Sequence, residues 1–145
     1  MTLVRPFHGG SRHELVKQPK VYGFDTGFVT FARGWDPLRP EDLGLLWEHL
    51  VLEHIQAHFP DVQPRYWRDT RGRELVFVMP RGRDDVDVVE CKWDPDSFDA
   101  SALQVFRSGL PRGRNYLVSP SGDPAYVRRF GAHEVLVCTP SGLMP

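Results

Sequence analysis

The chain has 145 residues, 41% of them hydrophobic and 26% charged, with a formal net charge of −1. That length suits one domain, and that hydrophobic share suits a packed core and excludes a disordered chain. The near-neutral balance gives no whole-molecule field for nucleic acid, although the positive charge is almost all arginine, with Lys17, Lys20 and Lys92 the lysines.

Taken in order, LVRPF and ELVKQPK flank a Gly9-Gly10-Ser11 turn and read as two arms of a hairpin. KVYGFD (20–25) reads as a short strand ending at Asp25-Thr26-Gly27, and GWDPLRP (34–40) as a loop bracketed by prolines. Residues 41–59 carry the clearest helical pattern. Pro40 precedes Glu41 and Asp42, which suit the positive end of a helix dipole. Leu43, Leu46, Trp47, Leu50, Val51 and Ile55 recur with helical spacing as the expected buried stripe, and Pro60 ends it.

RYWRD and ELVFVMP then flank Thr70–Arg73 as a second hairpin, and VDVVECKW (86–93) follows as a third strand. Residues 98–108 read as a helix with Phe98, Ala102, Val105 and Phe106 on one side. NYLVS (115–119) and EVLVCT (134–139) are short apolar strands. Helices interleaved with strands predict an α/β layer in which helices cover a central sheet. Cys91 and Cys138 lie in apolar runs without a CxxC pair, so buried reduced thiols are expected. No segment has the length and apolarity of a membrane span, and MTLVRPFHGG has no apolar signal core, so a cytoplasmic location without membrane contact is expected. There is no P-loop motif.

Strand periodicity puts Glu90 and Lys92 on one side with Val86 and Val88, opposite Asp87, Val89, Cys91 and Trp93. Charges next to an apolar run need partners. Divalent-metal phosphodiester chemistry supplies such a need: Mg²⁺ or Mn²⁺ takes hard carboxylate oxygens, and a nearby lysine stabilises charge on the attacked phosphate or assists the attacking water.

KVYGFDTGF (20–28), LLWEHLVLEHI (45–55), YWRDTRGRELVFV (66–78) and VVECKW (88–93), in that order, resemble the C-terminal nuclease-like domain of bacterial and archaeal AAA-type ATPases, a domain of unknown function. That family's pattern runs lysine-x-tyrosine, an aspartate-threonine-glycine turn, a helix with a glutamate, a strand reading E-V-D-F-V, and an E-V-K strand. The resemblance covers residues 3 to 119. It implies a restriction-endonuclease-like fold of the PD-(D/E)XK type, with a mixed sheet of four or five strands and helices on both faces. Residues 1–20 would be the remnant wing of a winged-helix segment or an N-terminal arm, and residues 21–145 the domain proper.

The resemblance also implies an acidic cluster at Glu48, position 76, Glu90 and Lys92. Position 76, the family's central metal-ligand aspartate, is Val76 in this chain and offers no oxygen. Glu74, two residues earlier on the same strand face and roughly 6.5–7 Å away by strand rise, is the candidate replacement. Three readings follow. In the first, the chain is a degenerate nuclease-like module that binds nucleic acid or the ATPase it descends from. The second is an active Mg²⁺-dependent DNA or RNA endonuclease, with Glu48, Glu74 and Glu90 on the metal and Lys92 assisting the water. A third is a regulatory protein-interaction domain.

Other features carry a functional and a plain reading side by side. Arg68, Arg71 and Arg73, with Arg65, Arg81 and Arg83 nearby, can grip a phosphate backbone or can be a solvated cluster paired with Asp69, Asp84 and Asp85. His54 and His58 have zinc-ligand spacing on the long helix but no HExxH motif, so a solvated face is the expectation. Tyr66 and Trp67 are expected to pack between sheet and helix rather than to stack on bases. If metal binding is lost, Lys92 is expected to remain in a salt-bridge cluster with Glu90, Glu74 or Glu48.

Overall fold

The computed structural model describes residues 1–9, 18–23 and 25–145. Its strands are β1 (Thr2–Pro6), β2 (Lys20–Tyr22), β3 (Arg65–Arg68), β4 (Glu74–Pro80), β5 (Val86–Cys91), β6 (Asn115–Val118), β7 (Tyr126–Phe130) and β8 (His133–Cys138). Its helices are α1 (Thr26–Arg33), α2 (Pro40–His58) and α3 (Ser101–Gly109). Among the described residues the strands form one mixed sheet of eight, in the order β2-β1-β3-β4-β5-β6-β8-β7. The α/β class is as expected, while the sheet is wider than the four or five strands read from the pattern.

The extra width has two sources. β1 is an integral strand, antiparallel to β2 and parallel to β3, so residues 2–6 continue the same sheet. The partner of β1 is Lys20–Tyr22; most of the ELVKQPK arm and its turn lies outside the described residues. At the far edge, β7 pairs antiparallel with β8 across a turn at Gly131, whose φ of 62° suits glycine. β7 reads YVRRF and is mostly exposed, so it carries no apolar alternation that would mark it.

α1 replaces the plain turn expected at Asp25-Thr26-Gly27. Asp25 caps it by accepting from the Phe28 N–H at 2.6 Å, and Gly34 closes it at φ 64°. Val29 is its only buried residue, which explains why no buried stripe announced it. α2 starts at Pro40, where the Asp42 carboxylate accepts from the Arg39 backbone N–H at 3.0 Å and from its guanidinium at 3.1 and 2.9 Å. Its buried arc is Trp47, His49, Val51, Leu52 and Ile55; Leu50, expected in the stripe, is 42% exposed because the arc is centred one position later. The helix expected over 98–108 is α3, and Phe98 precedes it.

The two helices cover opposite faces. Trp47, Val51, Leu52 and Ile55 of α2 pack with Phe77, Met79, Val89, Cys91 and Tyr116. Ala102, Leu103 and Phe106 of α3 pack with Leu75, Val78, Val86, Val88 and Leu117. Tyr66 and Trp67 are buried, one in each core, as expected. Both cysteines are buried and free. Among the described residues no helix is long and apolar enough to cross a membrane.

Arg107, on α3, is a buried cation at 3% exposure. It donates to Asn115 Oδ1 at 2.8 Å and to the carbonyls of Leu110, Arg112 and Arg114 at 3.1, 2.7 and 2.9 Å, locking the connection into β6. That connection passes so close to β5 that a Cβ on Gly113 would sit 2.0 Å from the Val86 carbonyl oxygen. Replacing Arg107 with Met fills a similar volume but strands these acceptors. A loss of about 2–4 kcal/mol is expected from urea unfolding; an unchanged midpoint would show that the acceptors find water instead.

Candidate functional site

The site begins with an irregularity in β4. Against β3, the pairs Arg65↔Val78 and Trp67↔Leu75 set three steps of β4 opposite two of β3, a β-bulge at Val76 and Phe77. Both bulge residues join the α2-side core, while Leu75 and Val78 face α3. The regular ladder to β5 runs from Pro80↔Val86 to Phe77↔Val89. Beyond it, the Val76 N–H is taken by a side chain instead of a carbonyl: it donates to Glu90 Oε1 at 2.7 Å. A bulge frees a backbone donor, and a buried donor requires an acceptor. Glu90 supplies it.

Glu90 is 6% exposed on an inner strand. Burial is the main influence on it and pushes its carboxyl up to about 7; the Val76 N–H and Lys92 pull in the other direction, and Glu48 and Glu74 add to the rise. Its strand phase follows Val86 and Val88 toward α3, whereas Val89 and Cys91 face α2. The Cys91 thiol is itself held well above its usual range by burial and by the nearby Glu48 carboxylate.

Glu48 projects from α2 and accepts from the Tyr22 hydroxyl at 3.3 Å. Burial raises its pKa, and Lys20 opposes that rise. Tyr22 is 3% exposed and is held neutral, by burial first and by Glu48 second. His49 anchors the same corner. Its Nε2 accepts from the Gly23 N–H at 3.2 Å, which leaves Nδ1–H to donate to the Leu45 carbonyl at 2.9 Å and fixes a neutral tautomer. Its ring meets Tyr22 edge-on at 4.9 Å.

Glu74 opens β4 and is clamped on both oxygens. Lys20 Nζ donates to Oε1, and Arg68 Nε donates to Oε2 at 2.7 Å. Neither Lys20 nor Tyr22 was singled out as a site residue from the sequence. The signal was present in K-x-Y, whose period of two puts both side chains on one face of β2. Direct bonds join Glu74 to Lys20 and Arg68 and join Glu48 to Tyr22, whereas Glu90 and Lys92 are linked to these groups by charge coupling alone.

The expected phosphate-gripping arginines divide. Arg68 is committed to Glu74. Arg73 pairs with the buried Asp69, which also accepts from the Arg71 and Arg73 N–H groups and so shapes the hairpin. The Arg71 side chain is exposed and forms no ion pair among the described residues. Asp84 pairs with Arg112, and Arg81 with Asp87. His54 and His58 stack at 4.0 Å on the helix surface.

A Mg²⁺ or Mn²⁺ ion needs several free oxygens at one point. Val76 offers none, the Glu90 oxygen nearest it is bonded to a backbone N–H, and both Glu74 oxygens are held by cations. Among the described residues no group of three His, Cys, Asp or Glu side chains is placed to hold a metal ion. The donor set does not fit a divalent cation.

The raised Glu90 pKa fixes a direction for stability. Below its ordinary value near 4.5 Glu90 is protonated in both folded and unfolded chains. Between there and about pH 7 only the folded chain keeps the proton, so stability falls as pH rises and levels off above 7. Glu90→Gln keeps an acceptor for Val76 but cannot ionise. Its unfolding free energy should lose roughly 3 kcal/mol less than the native chain between pH 4.5 and 8. Parallel pH profiles in urea titrations would contradict this.

No curated protein and no solved structure matches the chain. One family model does, over residues 43–138, which takes in α2, the bulged hairpin, the Glu90 strand, α3 and the last strands of the sheet. The chain therefore belongs to the family described as a domain of unknown function, DUF4143.

Proposed function

We propose that this chain is a PD-(D/E)XK nuclease-like module that has lost its metal centre and acts by binding a partner, nucleic acid or an AAA-type ATPase. The single observation that carries the reading is the 2.7 Å bond from the Val76 N–H to Glu90 Oε1. Where the resembling family has an aspartate opposite the E-x-K strand, this chain has a hydrocarbon, and the glutamate meant for metal has turned to the backbone. The helix glutamate, the bulged hairpin and the inner E-x-K strand support nuclease ancestry. They do not supply a hydrolytic site, because a metal-bound water needs the open oxygen ligands that are absent.

Two observations favour a protein partner over nucleic acid. Arg68 and Arg73 are already neutralised by Glu74 and Asp69, which leaves Arg71 alone of the three for phosphate. Beside α1, Phe31 is 85% and Leu38 47% exposed, with Trp35 next to them, an apolar patch of the kind that marks protein contacts. The competing reading is an active Mg²⁺ endonuclease in which Glu74 replaces the missing ligand.

Calorimetry with Mn²⁺ separates them. The native chain is expected to give no micromolar binding and Val76→Asp to gain it. Micromolar binding by the native chain that disappears in Glu90→Ala would instead establish the enzyme. Anisotropy with labelled single- and double-stranded DNA and RNA distinguishes the partners: a steep fall of affinity with salt identifies nucleic acid, and its absence leaves the protein partner.

A further inference from the structure

We infer that Lys20 and Arg68 together take the electrostatic place of a divalent cation, balancing the acidic cluster from within the chain. The inference rests on the reading of a lost metal centre and adds what replaced it. Three carboxylates brought into one partly buried cluster repel each other and need positive charge nearby. In a metal enzyme of this class that charge is an ion of charge two. In this chain, Lys20 and Arg68 carry the same total.

The placement is specific. Lys20 is on β2 and Arg68 at the end of β3, and they approach Glu74 from different strands, one on each carboxylate oxygen. Lys20 also acts on Glu48, where it is the strongest influence favouring the charged form. Lys92 stands in the same relation to Glu90, second only to the Val76 N–H. With these cations in place the cluster is neutral when fully ionised, and a second positive ion entering it meets repulsion rather than a vacancy. Tyr22 occupies one Glu48 oxygen by donating to it at 3.3 Å. Exposed lysines paired with exposed acids are common on any surface, but Lys20 and Arg68 are only 28% and 33% exposed and share a single acceptor residue that is 21% exposed.

Two consequences follow. Restoring the aspartate at position 76 alone supplies a ligand but leaves the cation clamp, so metal binding should be weak. Removing the clamp in that background should strengthen it. Because both cations are partly solvated, their replacement by methionine keeps the apolar stems without burying a new charge.

The experiment measures Mn²⁺ affinity by calorimetry, and the rise in melting temperature with Mn²⁺ over EDTA, in four proteins. They are the native chain, Val76→Asp, Val76→Asp with Lys20→Met and Arg68→Met, and Val76→Asp with Arg71→Met. The clamp-free variant is expected to bind about tenfold or more tightly than Val76→Asp alone and to show the larger Mn²⁺-dependent rise. The Arg71→Met control, which removes one charge outside the cluster, should match Val76→Asp. Equal affinity with and without the clamp overturns the inference, as does an equal gain from Arg71→Met, which would mark a general effect of net charge. If the clamp-free variant does not fold, Val76→Asp with Lys20→Met alone decides, with an intermediate gain expected and no gain counting against the inference. Tight Mn²⁺ binding by the native chain is a different result: it removes the reading of a lost metal centre itself.

Discussion

A single hydrogen bond, from the backbone of Val76 to the carboxyl of Glu90, organises this protein's most unusual region. The bulge in β4 turns two successive hydrophobic residues, Val76 and Phe77, into the core beneath α2 and leaves one backbone donor without its ladder partner. A buried amide without an acceptor costs on the order of 1–3 kcal/mol, so something polar has to reach it. Glu90 does so from the adjacent inner strand, at the expense of carrying a carboxyl into a place where burial raises its pKa to about 7. Bulge, valine and glutamate are therefore one unit: changing any of them alters what the other two must do.

Around that unit the charges close on themselves. Glu74 is shared between Lys20 and Arg68, Glu48 accepts from Tyr22 and is coupled to the Lys20 charge, and Lys92 offsets Glu90. Surface ion pairs contribute little on their own, and a buried network is stabilising only when each member is satisfied. Glu74 with its two cations and Glu48 with Tyr22 form such a network. Membership of DUF4143 leaves the activity open.

Much of the fold was legible in the sequence. The α2 helix, the β3–β4 hairpin, the inner β5 strand, α3, β6 and β8 follow from periodicity and turn residues. What stayed hidden has physical reasons. α1 buries only Val29, so it lacks the apolar stripe by which helices are read. β7 is an exposed edge strand with two arginines at its centre, and β1 finds its sheet partner β3 about sixty residues away, a contact no local pattern encodes. In the candidate site, strand phase singled out Glu74, Glu90 and Lys92, and the family resemblance Glu48. The bond of Glu90 to the Val76 N–H was not legible, because it depends on a bulge, and a bulge is a one-residue slip invisible to a period-two pattern. Lys20 and Tyr22 were quoted as a motif without a role; only the pairing of β2 against β1 and the approach of α2 give them one.

The central claim is that the Glu90 carboxyl is held by backbone, not by metal. Carboxyl-carbon NMR of Glu90, titrated with pH in the presence and absence of millimolar Mg²⁺, addresses it directly. A midpoint near 7 that Mg²⁺ leaves in place is expected, with the Val76 amide proton shifting at the same pH. A midpoint driven down toward the ordinary carboxylate range by Mg²⁺ would show the metal on Glu90 and contradict the claim.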